Sequence, residues 1–430
     1  MAGKVHIIGA GMAGLAAAVR LRGLGASLIV YEAAPRCGGR CRSYTDPQLG
    51  TVIDNGNHLL LSGNHAAMAY LRECGAADRL AGSATSEFRF VEIGSGQRWA
   101  VRPGRGAVPW WIFDAKRRVP DTSVADYWSV VRLLRASDQA TIGECVDPKS
   151  VLYRRFWEPL TLAVLNTVPE QASAGLMRAV LQETVAKGAD ACRPMIARKN
   201  LADTFVDPAV KVLEQAGVNL KVGTRVRALS FNNGRVTSLT IDDDVLAVAP
   251  EDLVIVAVPA WIAETLIPGL AVPPPGEAIV NVHYVLPPSV PRPETVEIVG
   301  IIGGLSQWVF ARDDIASVTI SAAGAVQDMP AEDIIARCWP EVAAALDIDP
   351  GVTPPARVVK ERRATPAQTP AAVAARPHTA TRYDNLLLAG DWTATGLPAT
   401  IEAAIRSGFA AAKLAQAKTG GAAHTTLGAA

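Results

Sequence analysis

The 430-residue sequence has only six cysteines, and their spacing fits neither a secreted disulfide framework nor a zinc site. Cys37 and Cys41 flank a glycine turn with no histidine beside them, so no metal is expected there. Charge of either sign is equally scarce in excess: 42 Lys and Arg against 41 Asp and Glu leave a formal net charge of +1. A chain without a basic surplus lacks the field that draws nucleic acid, and no nucleic-acid partner is expected. Long apolar runs are missing too. Stretches such as 10–19 and 245–259 are broken by glycine, charge or proline before the ~18 residues that a bilayer-spanning helix needs. The opening MAGKVHIIGAG leaves no room for a signal peptide ahead of the first apolar run, which points to a cytoplasmic, reducing setting.

What the chain does have is apolar and small. Hydrophobic residues make up 49% of it, glycines number 36, and mean hydropathy is +0.18. That composition supplies a large core and permits a greasy surface or an internal apolar cavity. At about 100–200 residues per domain, the length suits two or three lobes.

Residues 4–32 read KVHIIGAGMAGLAAAVRLRGLGASLIVYE. Val5, Ile7 and Ile8 predict a short buried strand, and Gly9, Gly11 and Gly14 supply G-x-G-x-x-G in the turn into an alanine-rich helix. Gly9 permits the tight turn, Gly11 lets backbone N–H groups reach a pyrophosphate, and Gly14 lets the helix press onto the strand. Met12 and Ala13 complete the helix N-terminus, whose partial positive charge favours phosphate. Gly25 and a second strand over 27–31 follow, ending at Glu32, 18 residues after Gly14. A carboxylate there accepts hydrogen bonds from both ribose hydroxyls and repels a 2′-phosphate, favouring FAD or NAD over NADP.

Arg36-Cys37-Gly38-Gly39-Arg40 comes next, a second flexible turn with cationic flanks suited to phosphates or a flavin edge, or else a solvated surface turn. With this turn directly after Glu32, the sequence resembles the amine-oxidase and phytoene-desaturase superfamily of flavoproteins. The resemblance implies FAD as the bound dinucleotide.

Later segments are expected to return to the first sheet. The pattern predicts a helix over 208–215, strands over 219–222, 225–231, 236–241 and 253–258, and a turn at Asn233-Gly234. In the resembled superfamily the strand at Val226 lends backbone to the adenine end, so that role is carried to Val226. Leu386–Leu388 predicts a buried strand, Gly390-Asp391 a turn, and 398–407 a helix with Pro398, Ala399 and Thr400 at its N-terminus aimed back at the strand end. Asp391 suits a ribityl hydroxyl or a pyrophosphate-bound water, or else caps the following helix.

The expected architecture is therefore α/β: a discontinuous Rossmann-like FAD-binding domain (1–79, 201–264 and 376–418) with a mixed α+β substrate domain (80–200 and 265–375). The first insertion is expected to be largely helical, over 125–135, 151–165 and 172–187, and the tail 419–430 disordered. Trp99, Trp110, Trp111 and Trp128 fall in that insertion with Lys and Arg interleaved, and read as core packing or as a face that dips into a bilayer surface.

Four further stretches are more specific: Asn55-Gly56-Asn57-His58-Leu59-Leu60-Leu61; Phe156-Trp157-Glu158-Pro159-Leu160 with Asn166-Thr167-Val168-Pro169; Gln307-Trp308-Val309-Phe310; and Gly390-Asp391-Trp392-Thr393-Ala394-Thr395-Gly396-Leu397-Pro398-Ala399-Thr400-Ile401-Glu402. Collinear from about residue 4 to 418, they resemble the squalene-associated FAD-dependent family, the hydroxysqualene dehydroxylases of bacterial hopanoid pathways. That resemblance implies reduction of hydroxysqualene to squalene, hydride coming from reduced flavin and the hydroxyl leaving as water. His58 and Glu158 are the candidate proton donors, with Trp157, Gln307 and Trp308 as pocket residues. The electron donor stays open, as does peripheral contact with the inner face of the cytoplasmic membrane. Competing readings are a carotenoid desaturase-like or amine oxidase-like flavoenzyme, and a non-catalytic escort for prenylated proteins.

Overall fold

The structure, a computed structural model, describes residues 3–23, 27–106, 109–291 and 296–425, with 420–425 described in backbone alone. Gly25 lies outside the described residues.

Val5–Ile8 is apolar on both faces apart from His6 and is fully buried, the pattern of a central parallel strand. It lies between Leu28–Tyr31 and Leu253–Val256, and the five-stranded sheet is completed by Asn219–Lys221 on one edge and Leu386–Leu388 on the other. All four pairings are parallel. Register sets Ile8 level with Tyr31 and Val256, and Val256 level with Leu388. The chain therefore leaves four strands at one edge, through Gly9, Glu32, Ala257 and the Ala389–Asp391 turn. Ligands of open α/β sheets bind at that carboxyl edge.

One face of the sheet carries the first helix, Met12–Leu21, packed along the last, Ile401–Thr425. Their approach depends on small residues: a Cβ on Gly408 would lie 2.2 Å from the Ala13 carbonyl oxygen, and one on Gly14 only 1.9 Å from that of Gly9. The opposite face is covered by an antiparallel meander of Val226–Asn232, Arg235–Ile241 and Asp244–Ala247. Asn233 and Gly234 both have left-handed φ, as a tight two-residue hairpin of this hand requires.

The other lobe is built on a seven-stranded mixed sheet. The first insertion is largely helical, but it also lends two strands to that sheet: Phe88–Glu92, parallel to Glu297–Ile302, and Arg98–Val101. Phe88–Glu92 has its other partner far along the chain, and Arg98–Val101 is the edge strand that pairs with Phe88–Glu92 alone, across a short hairpin. Ala331–Leu346 packs on one face of the sheet, and short helices around Trp157 pack on the other. The expected helix over 151–165 is observed over those residues, with Tyr153–Trp157 widened to a π segment ahead of Pro159, which has no N–H to give. The region 172–187 divides into Ala174–Glu183 and Val185–Lys187.

The last helix begins at Ile401 rather than 398, with Thr400 as its cap through the Ala403 N–H (3.2 Å). It continues through Thr425, past the point where disorder was expected, and residues 426–430 lie outside the described residues. Among the described residues no helix is long and apolar enough to cross a membrane.

Candidate cofactor and substrate site

Gly9 turns with φ +104°, and a Cβ there would sit 2.6 Å from the Ala257 carbonyl oxygen. The turn leaves the space in front of Gly11 open, with nothing within 4 Å of a Cβ built on it. No side chain caps the helix that follows, so its first N–H groups, at Met12, Ala13 and Gly14, are offered to a ligand. Glu32 is locked beside the turn: its carboxylate accepts the N–H of Ala10 and that of Ala34, each at 2.8 Å. Oxygen lone pairs remain for a diol. An uncapped helix end, an open cradle and an oriented carboxylate are what a dinucleotide's pyrophosphate and ribose need, and these residues fit that group.

The second glycine turn lies directly on the first. Gly38 and Gly39 both have positive φ, the Gly38 N–H donates to the Ala10 carbonyl (2.8 Å), and a Cβ on Gly39 would come within 3.3 Å of the Gly11 Cα. Arg36 is exposed at the start of this turn. Arg40, partly buried, donates to Asp391 Oδ1 at 2.7 Å and to the Ala364 carbonyl at 2.5 Å. Burial opposes the charge on Arg40, but Asp391 outweighs it and the guanidinium stays protonated. Residues from the two ends of the chain thus meet at the sheet edge. A cleft of about 270 Å3 opens beside them, lined by Arg40, Asp391, Trp392, Trp261 and Pro274. Val226 is buried in the apolar cluster under Tyr31.

Asp391 does not cap the last helix, a role taken by Thr400. The Gly390–Asp391 turn is pinned instead by two acceptors the motifs did not point to, Ser407 and Val258: the Gly390 N–H donates to Ser407 Oγ (3.0 Å), and the Trp392 indole N–H to the Val258 carbonyl (2.9 Å). Pro398 is buried, and the Ala399 N–H donates to Gln368 Oε1 at 2.8 Å. Behind that turn, Arg376 is buried; it donates to the Leu397 carbonyl (2.7 Å) and its Nε has no partner. Burial lowers its pKa, and an orphaned buried N–H marks a place prepared for an acceptor. Glu402, 3% exposed, takes the N–H groups of Ala66 and Ala67 at 3.0 and 2.8 Å, clamping the final helix to His65–Glu73.

The candidate proton donors lie apart, with no hydrogen bond or ion pair joining them among the described residues. His58 lines a small cavity with Asp54, Asn57, Phe310 and Arg312. Burial lowers its pKa to about 4 against the pull of Asp54, and Arg40 adds to the lowering, so the ring is neutral at neutral pH. Glu158 is half-buried at the start of Glu158–Leu165, where burial and then the Glu170 carboxylate raise its pKa. Arg154 and Arg155, four and three residues before it, are both turned to Glu92, at 3.7 and 2.8 Å.

Trp157 and Trp308 belong to one apolar cluster with Phe90 and Phe310. The Trp157 indole donates to Ser129 Oγ (3.1 Å), whereas the buried Trp308 Nε1 has no partner. Gln307 is a strut: its amide accepts the Ser321 N–H (2.8 Å) and donates to the Ser321 carbonyl (3.0 Å).

The flavin containing amine oxidoreductase family matches residues 12–415. Hydroxysqualene dehydroxylase of Rhodopseudomonas palustris is 46% identical over 417 residues, covering 96% of this chain and 98% of its own. That of Zymomonas mobilis is 40% identical, covering 95% and 98%. Among solved structures, putrescine oxidase bound to putrescine superposes with a TM-score of 0.66 at 18% identity, covering 97% of this chain and 99% of its own. Cyclohexylamine oxidase of Brevibacterium oxydans gives 0.65 at 16%, covering 98% and 99%. At such identities these two speak for the fold alone. Full-length similarity, an oxidoreductase fold and the intact glycine cradle agree on an FAD-dependent oxidoreductase: the chain belongs to the flavin containing amine oxidoreductases and, within them, to the hydroxysqualene dehydroxylases.

Proposed function

We propose that this protein reduces hydroxysqualene to squalene. The observation that carries the reading is the extent of the similarity. L-amino-acid oxidase of Demansia vestigiata matches only 72 residues, 17% of the chain, whereas the dehydroxylases match both lobes from end to end. What is shared with them includes the substrate lobe and is not confined to a cofactor motif.

For FAD, the residues that would hold it are Gly9, Gly11, Met12, Ala13 and Gly14 at the pyrophosphate and Glu32 at the ribose. Arg36, Gly38, Gly39 and Arg40 in the second turn, Val226 near the adenine, and Gly390, Asp391, Pro398, Ala399 and Thr400 toward the ring complete the set. Reduced FAD supplies hydride to the carbon that loses its hydroxyl. The chain's own tasks are to hold an oily substrate, exclude water and protonate the departing oxygen so that it leaves as water. The cluster of Trp157, Trp308 and Phe310 suits the first two. For the third we propose Glu158, because its surroundings favour the protonated carboxyl, while His58 is already neutral. The domain division at residues 79/80, 200/201, 264/265 and 375/376 is part of the same reading. So is a cytoplasmic setting at the inner face of the cytoplasmic membrane, where a lipid substrate is reached.

Purified protein should be yellow. Anaerobic mixing of the reduced holoenzyme with hydroxysqualene should reoxidise the flavin and yield squalene; no reoxidation with that alcohol, alongside turnover of a carotene or an amine, would overturn the reading.

A further inference from the structure

We propose that the surface formed by Trp110–Phe113, Val124–Tyr127 and Trp128–Leu134 inserts into an anionic lipid bilayer and seats the substrate lobe on it. The inference deepens the functional reading above and rests on it for the oily substrate.

Trp110, Phe113 and Trp128 are 69%, 62% and 66% exposed, and among the described residues they are all the strongly exposed aromatics there are. A soluble surface rarely gathers its exposed aromatic rings within one short segment. Their neighbours in sequence explain the arrangement. Trp111 is buried and meets the buried Tyr127 edge-on at 5.6 Å, so the two short helices are joined through one ring pair, and Trp110 and Trp128 flank it. Trp110 and Phe113 themselves lie 5.9 Å apart. Leu134, one helix further on, is also exposed.

Charge selects the partner. Residues 102–135 hold seven Lys and Arg against three Asp, in a chain that is otherwise balanced. The three acids are engaged locally: Asp121 pairs with Arg155 at 2.7 Å, Asp126 accepts the Ser123 N–H at 2.6 Å, and Asp114 accepts the Lys116 N–H at 2.9 Å. Arg105, Lys116, Arg132 and Arg135 are exposed and make no ion pair among the described residues. Aromatic rings that enter the interface, ringed by cations that meet lipid phosphates, fit an anionic leaflet better than an acidic protein, which would leave the rings in water.

The placement also has a use. Trp111 and Tyr127, on the inner side of this segment, belong to the same apolar cluster as Trp157, Trp308 and Phe310. A bilayer against the outer side would adjoin the same apolar cluster as the proposed substrate pocket, since Trp157 donates to Ser129 on the helix that carries Trp128.

The test uses holoenzyme and vesicles of phosphatidylglycerol and phosphatidylcholine, with phosphatidylcholine alone as control. Wild type should sediment with the anionic vesicles, and raising salt from roughly 0.1 to 0.5 M should weaken it. The double variant W110S/F113S should bind about tenfold more weakly, and W128S should behave alike, with flavin spectrum and melting temperature unchanged. R132E/R135E, which leaves every ring in place, should lose the preference for anionic lipid. All variants should reduce detergent-dispersed hydroxysqualene at the wild-type rate. Wild-type protein that ignores vesicles, or folded variants that bind as wild type does, would overturn the proposal. So would a wild-type dimer that W110S/F113S makes monomeric, which would give the patch to a second copy. Vesicle binding without turnover of hydroxysqualene would sink the functional reading and leave the surface standing.

Discussion

The two lobes hold their critical atoms by opposite means. At the carboxyl edge of the five-stranded sheet the work is done by backbone: positive φ at Gly9, Gly38 and Gly39, an uncapped helix end, and a Cβ-free contact between Gly39 and Gly11. In the substrate lobe it is done by side chains that find distant partners, such as Gln307 on Ser321 and Trp157 on Ser129. Backbone geometry tolerates few residue types and so leaves a mark in the sequence. Side-chain pairing tolerates many and leaves little.

The most severe way to test that contrast is to add carbon to the backbone lobe. In Gly14→Val the new Cβ meets the Gly9 carbonyl, a backbone atom that cannot swing aside. The expected cost is about 3 kcal/mol or more, with the protein recovered colourless or insoluble. A comparable enlargement at Gly94, whose Cβ would meet nothing within 4 Å, should leave flavin content and melting temperature as in wild type. Equal damage at both would show that the close approach at Gly14 is not what the cradle depends on.

A milder change asks whether Glu32, the proposed ribose acceptor, acts on the ligand or on the fold. Glu32→Ala removes the proposed ribose acceptor and also the partner of two N–H groups, that of exposed Ala34, which water can take over, and that of Ala10, a fully buried residue. FAD affinity should fall about tenfold or more, while the apoprotein loses about 1–3 kcal/mol for the Ala10 N–H left unpaired. Flavin stoichiometry unchanged on dilution and gel filtration would remove Glu32 from the site.

The same contrast explains what could be read from residues alone. Val5–Ile8, the three glycines of the first turn, Glu32 and the Asn233-Gly234 hairpin were legible because each obeys a local rule of period, steric room or φ. The strands Phe88–Glu92 and Arg98–Val101 were not, since Phe90 looks the same in a helix of the core until the distant Glu297–Ile302 pairs with its strand, and Trp99 lies on an edge strand held by Phe88–Glu92 alone. Glu402 reads as an ordinary helix carboxylate; its role comes from Ala66 and Ala67, which only the fold brings to it. Arg376 and Gln368 gave no signal for the same reason. The start of the last helix was misjudged: Pro398 is a familiar first-turn residue, yet Thr400 makes the capping bond.

The smallest expected effect lies in the substrate lobe, at Glu158, and its sign is the informative part. Burial and Glu170 raise the Glu158 pKa in the folded protein above its unfolded value. A carboxyl of that kind contributes its stability below the unfolded pKa, and the contribution is lost as pH rises through the folded one. As pH rises, the charge that forms on the wild-type side chain stands in half-buried surroundings close to the Glu170 carboxylate, which accepts the Tyr153 O–H at 2.5 Å. Glu158→Gln removes that charge while keeping shape and a polar head, so the variant should melt slightly higher than wild type at pH 8, with the gap closing toward pH 4. A variant that melts lower at pH 8 would mean that the anion has a cationic partner in solution. Glu158 would then be one more side-chain strut of this lobe, and the case for it as the proton donor would be gone.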